Sequence, residues 1–134
     1  MARIGNITFA CEQPVRLAEF WASALGYVHV EVPEEVEREI RGAIERGEVE
    51  GDAWAMLAPP DGTGPRLLFQ RRPVSRPEHI PIHLDVNVDD REAEVERLVG
   101  LGATVVETKT QTFGSLSETW TVMRDPEGNG FCVQ

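Results

Sequence analysis

The spacing of apolar residues along the chain switches between two periods, and the switches mark its elements. RIGNITFAC (3–11) carries alternating β-branched and aromatic residues and predicts a strand. Pro14 then suits a first helical position, and Leu17, Phe20, Trp21, Ala24 and Leu25 recur at helical spacing until Gly26 provides a C-cap. YVHVEV (27–32) predicts a second strand. PEEVEREIRGAIERG (33–47) predicts a second helix, opened by Pro33 and closed by Gly47. In it Val36, Ile40 and Ile44 form one apolar stripe, expected to seat the helix on a sheet, and Glu34–Arg38 and Glu37–Arg41 are supporting i,i+4 pairs. DAWAMLAP (52–59) and PRLLFQRR (65–72) predict strands joined by a Pro-Asp-Gly turn.

Prolines 73, 77 and 81 punctuate a linker. Beyond it PIHLDVNV (81–88) predicts a strand, and DDREAEVERLVGLG a helix opened by aspartates and closed by Gly102. ATVVET (103–108), ETWTVMRD (118–125) and GFCVQ (130–134) predict three more strands, with KTQTFGSLS (109–117) as a polar connecting loop and candidate gate. Each half therefore reads strand, helix, three strands. The halves also share text: PPDGTGPRLLFQ ends one and DPEGNGFCVQ the other, each after a strand carrying a tryptophan, Trp54 or Trp120. An internal duplication of this kind fixes the architecture. The expected fold class is α+β: two βαβββ modules forming a concave, barrel-like mixed sheet with helices outside. The expected organisation is one domain over 1–134, with module 1 at 3–72, a linker at 73–80 and module 2 at 81–134.

Composition narrows the partners. A net charge of −10 argues against nucleic acid, whose affinity rests on Lys and Arg neutralising phosphates. No apolar run approaches the roughly 20 residues a bilayer span needs. Neither Cys11 nor Cys132 sits in a CxxC or other metal-type spacing, and buried free thiols suit a reducing compartment. The chain is expected to be cytoplasmic and not to bind membranes. A homodimer is expected, because a short two-module chain leaves sheet edges that pairing would cover.

GNITFACEQPVRLAEFWASALGY, HLDVNVDDREAEVERLVGLGATVV and DPEGNGFCV, in that order and spacing, resemble the vicinal oxygen chelate superfamily of glyoxalase I, bleomycin resistance proteins and extradiol dioxygenases. The closest likeness is to its glyoxalase-like domain branch. The resemblance implies a small-molecule site in the cup between modules. In catalytic members it implies a divalent metal (Zn, Ni, Mn or Fe) held by first- and last-strand residues of each module. Those positions fall here on Asn6, Gln70 (with Leu68 as the other register), His83 and Cys132. Cys132 thus stands where related enzymes keep a carboxylate. Asn, Gln, His and Cys make a poor cage for a catalytic divalent ion, so no cofactor is the expectation, with a divalent metal as the alternative.

His83 is the expected catalytic residue if there is chemistry, as a metal ligand or as a general base with Asp85 two residues along. Trp54, Met56, Phe69, Trp120, Gln70 and Cys132 are expected to line an apolar ligand site, although strand alternation must turn some of them towards the helices. Arg66, Arg71, Arg72 and Arg76 cluster in an otherwise acidic chain, as a solvated rim or as an anchor for an anionic ligand. Three functions follow: a binding protein without metal, a glyoxalase- or dioxygenase-type metalloenzyme, and a metal-free enzyme using His83.

Overall fold

A computed structural model describes residues 4–73, 83–113 and 115–134. The chain divides into two compact units, Met1–Val74 and Ser75–Gln134. Linker residues 74–80, with Arg76, His79 and the start of the 81–88 strand, lie outside the described residues.

The first module holds β1 (Asn6–Cys11), α1 (Pro14–Leu25), β2 (Val28–His29), α2 (Glu34–Glu45), β3 (Trp54–Ala58) and β4 (Arg66–Arg71). Its sheet runs β1-β4-β3-β2, with β1 parallel to β4 and the other pairs antiparallel. The second holds β5 (Leu84–Val86), α3 (Arg91–Gly100), β6 (Thr104–Phe113), β7 (Leu116–Arg124) and β8 (Gly130–Val133). Its sheet runs β5-β8-β7-β6, again with one parallel pair, β5 with β8. Two four-stranded mixed sheets and three helices give the expected α+β class. The two modules share one strand order, as the duplication predicts.

α1 forms where its apolar spacing requires. Pro14 occupies its first turn, Leu17, Ala18, Phe20 and Trp21 are buried, and Gly26 ends it in the left-handed region at φ 68°. Those residues meet one face of the first sheet. Trp21 lies 5.8 Å from Phe9, and Phe9 stacks on Phe69 at 5.1 Å. Leu57 and Leu67 complete this core. α3 is capped by Asp90, whose Oδ1 accepts the Ala93 N–H at 3.0 Å. Leu98 of α3 is buried in the second module, as are Met123, Phe131 and Val133 of its sheet.

Three expectations fail, each for a local reason. The strand over 27–32 shrinks to Val28–His29, because β2 pairs with Ala58 and Leu57 of β3, adds one further bond from the Val30 N–H to Met56 O at 3.0 Å, and is soon followed by Pro33, which starts α2. α2 forms, with acidic residues in its first turn and Arg38–Glu34 and Arg41–Glu37 pairs at 3.3 and 2.8 Å, yet none of its residues is buried. Val36 and Ile44 remain 45% and 38% exposed, so the apolar stripe does not seat the helix on a sheet. Within the expected polar loop, residues 109–113 instead continue β6 and residues 116–117 begin β7, while Gly114 lies outside the described residues. Threonines alternate along both strands and face one another, Thr108 with Thr121 at 3.0 Å and Thr110 with Thr119 at 2.9 Å. Threonine is a β-former, and cross-strand hydroxyl pairs stabilise such a ribbon.

Candidate functional site

Strand alternation gives each sheet one face against its helix and one far face. In the second module Leu84, Val86, Phe131 and Val133 share the α3 side. Asp85 and Cys132, directly paired between β5 and β8, share the far side. His83 stands two residues before Asp85, and its Nε2 lies 3.2 Å from Asp85 Oδ1. One ligand atom each from His83, Asp85 and Cys132 falls within 4.8 Å of the others. Val122 pairs with Cys132, and Trp120 with Lys109, so the far face continues across β7 to Glu107 and Lys109 of β6.

The electrostatics of this cluster are asymmetric. Cys132 is buried while His83 and Asp85 are exposed. Burial pushes the Cys132 thiol pKa up, the Asp85 charge pushes it further, and Lys109 opposes them. The thiol is therefore held protonated, a weak donor rather than a ready thiolate. Asp85 can orient the His83 imidazole for proton transfer. The nitrogen, oxygen and sulfur atoms together also suit a borderline cation of the zinc type, whose binding would expel the thiol proton.

The first module offers different chemistry at matching positions. The parallel register pairs Ile7 with Leu67, as Leu84 pairs with Phe131, so Asn6, Thr8 and Leu68 correspond to His83, Asp85 and Cys132. Leu68, not Gln70, is the partner of Cys132 in the duplication. Gln70 stands opposite Ala10, four residues beyond Asn6, or about 13 Å along the strand. Asn6 Oδ1 already accepts a hydrogen bond from Arg66 Nε at 2.9 Å. A neutral amide bound to a guanidinium, beside an apolar leucine, does not fit a divalent cation. The four-residue ligand set implied by the resemblance is not assembled from this module.

The other expected lining residues separate. Trp54, Met56, Leu68 and Gln70 are half-buried on the far face of the first sheet, where Trp54 pairs with Gln70 and Met56 with Leu68. Phe69 is on the other face, fully buried against Phe9 in the α1 core, and cannot line a far-face site. Among the arginines, Arg71 is held by Glu50 and by Asp52 at 2.6 Å, and this bond keeps the Asp52 carboxyl below its usual range. Arg66 binds Asn6, and Arg72 is exposed. Sequence reasoning undervalued Asp85, which it treated only as a neighbour of His83, and put Lys109 in a loop. The period of two that sets His83 and Asp85 on one face was the signal available, while the place of Cys132 beside them follows from the β5–β8 register.

The profile of the glyoxalase-like domain family matches residues 6–134. The chain belongs to that family. Solved structures agree on the fold. A glyoxalase/bleomycin resistance protein/dioxygenase family enzyme from Burkholderia phytofirmans is 17% identical with a TM-score of 0.67, covering 98% of this chain and 97% of its own. An antibiotic-binding protein from a Streptomyces species is 16% identical with a TM-score of 0.62, covering 100% and 95%. A mutant fosfomycin resistance protein from Listeria monocytogenes, complexed with Mn(II) and 1S,2S-dihydroxypropylphosphonic acid, is 11% identical with a TM-score of 0.67, covering 100% and 90%. At such identities the likeness shows the glyoxalase-like fold alone. No curated protein matches the chain in sequence. No helix among the described residues is long and apolar enough to cross a membrane.

Proposed function

We propose that this glyoxalase-like protein binds a small, partly apolar molecule against the far faces of its sheets, without the four-ligand metal cage of catalytic relatives. The supporting observation is Leu68 at the position that corresponds to Cys132, with Asn6 bonded to Arg66 beside it. On the first sheet Trp54, Met56 and Leu68 offer apolar surface and Gln70 a polar anchor, and on the second sheet Trp120 offers an aromatic face with an indole N–H donor. Antibiotic binding by a Streptomyces protein of the same fold is consistent with this use.

A second reading draws on the convergence of His83, Asp85 and Cys132. Three protein ligands with an open fourth position is the pattern of catalytic zinc, which would polarise a bound oxygen. Here His83 and Asp85 would hold the ion at the surface and Cys132 from beneath it.

One experiment separates the two. Protein purified without chelators or a metal column is assayed for bound metal, and its melting temperature is followed with Zn, Ni, Mn or Fe(II) and with a library of apolar small molecules. A ligand present at a hundred times its Kd stabilises by about 2.7 kcal/mol, which raises the melting temperature by several degrees. The expected outcome is no stoichiometric metal, no metal-induced shift, and ligand shifts that weaken in Trp54→Ala. About one metal per chain, lost in His83→Ala, would overturn the metal-free reading in favour of the second.

A further inference from the structure

β6 is ten residues long and stands at the edge of its sheet, hydrogen-bonded among the described strands to β7 alone. Every residue from Thr104 to Thr112 is exposed, so neither face of this edge is covered. Long exposed edges are templates for another strand, and proteins blunt them with bulges and charges. A bulge does occur, at Val106, but it lies near the start, and pairing with β7 runs regularly from Glu107 to Phe113. The charges on that regular stretch are Glu107 and Lys109, two residues apart on one face and 3.1 Å from each other.

We propose that β6 is a dimerisation edge, pairing antiparallel with β6 of a second copy of this chain about a two-fold axis at Thr108. A two-fold axis normal to the sheet keeps each face continuous only when it is centred on a residue, so the registers can be compared one by one. Centred on Glu107, the axis sets glutamate against glutamate. Centred on Lys109, it sets lysine against lysine. Centred on Thr110, it sets Lys109 against Gln111 and Glu107 against Phe113. Centred on Thr108, it sets Glu107 of each copy against Lys109 of the other, twice, and joins the two internal ion pairs into an alternating square of four charges. Thr108 then faces its own counterpart on the opposite face. Opposite charges directly across a strand pair stabilise it and like charges destabilise it. The same two charges that would repel an apolar strand therefore select a second copy in one register.

The test is sedimentation equilibrium of the intact chain across micromolar concentrations, at low and high salt. The expected result is a reversible dimer that weakens as salt screens the square. Lys109→Glu places like charges opposite each other at both symmetric positions and should weaken dimerisation about tenfold or more. The double variant Glu107→Lys with Lys109→Glu restores complementarity and should restore the dimer. Both positions are exposed, and circular dichroism checks that the variants fold. A chain that stays monomeric throughout would sink the proposal. So would a dimer indifferent to Lys109→Glu, which must form through another surface, or a double variant as weak as the single one.

Discussion

In the first module, rings from both layers meet: Phe20 lies edge-on to Trp21 at 5.3 Å, Trp21 touches Phe9, and Phe9 stacks on Phe69. In the second, Leu98 is the one buried residue of α3, and the core is filled by aliphatic and single-ring side chains from the strands. Both modules nevertheless have the same strand order and carry the same kind of turn before their last strand. Gly62 donates its N–H to Pro59 O at 3.0 Å and Gly128 to Asp125 O at 2.9 Å, with φ of 71° and 85° at the two glycines. Topology here depends on the pattern of strands and turns, which the halves share, and tolerates very different core fillings. The far faces diverge further. Asn6, Thr8 and Leu68 correspond to His83, Asp85 and Cys132, so a titratable cluster in one module matches a neutral, partly apolar patch in the other.

The largest effect expected from this asymmetry is in the cores. Trp21→Ala removes the central ring of the aromatic chain and should cost about 3–5 kcal/mol, against about 2–3 for Leu98→Ala, as read by urea unfolding. Equal losses would mean that the two cores are equivalent despite their contents. The turns give the next contrast. Asp125 is buried and accepts from the N–H groups of Glu127 and Asn129 and from the Asn129 amide, so Asp125→Ala should cost about 1–2 kcal/mol by stranding these half-buried donors. Asp61 serves the corresponding turn through Thr63 alone and is exposed, so Asp61→Ala should leave the melting temperature almost unchanged.

The cluster itself can be read through pH. Burial first and the Asp85 charge second raise the Cys132 pKa above its ordinary 9.0. Alkylation at Cys132, followed by peptide mass spectrometry, should therefore begin only at higher pH than for a free thiol. Asp85→Asn should move that onset down. The sign for stability follows: a raised thiol pKa contributes stability that is complete below the unfolded thiol's pKa and is lost as pH rises through the folded one. An onset at or below the free-thiol range would mean that a cation already sits beside Cys132. The smallest effect should be at α2. Val36→Ser on this largely exposed stripe should change stability by no more than about 0.5 kcal/mol, since Val36 is already 45% exposed and no residue of α2 is buried. A larger loss would show that something covers the stripe in solution.

Much of the fold was legible because periodicity and turn chemistry act locally. Leu17, Phe20 and Trp21 marked α1, Gly26 ended it, and the repeated proline-glycine turns exposed the duplication. The errors arose where local text was ambiguous. KTQTF is polar and reads as loop, yet its threonines alternate and find partners across the ribbon. Val36, Ile40 and Ile44 repeat at helical spacing, but periodicity cannot say whether a partner surface exists.

The candidate site was legible in part. His83 and Cys132 were identified from sequence, and their proximity on one far face is what β5–β8 pairing produces. The correspondence of Leu68 rather than Gln70 with Cys132 was open by two residues until the strand register closed it. The sequence by itself determined the three helices, the position of most strands, the duplication and the family, since these follow from local periods and turn residues. Only the tertiary structure decided which residues share a face, because a shift of strand register moves every side chain along its neighbour, and nothing within one strand records that alignment.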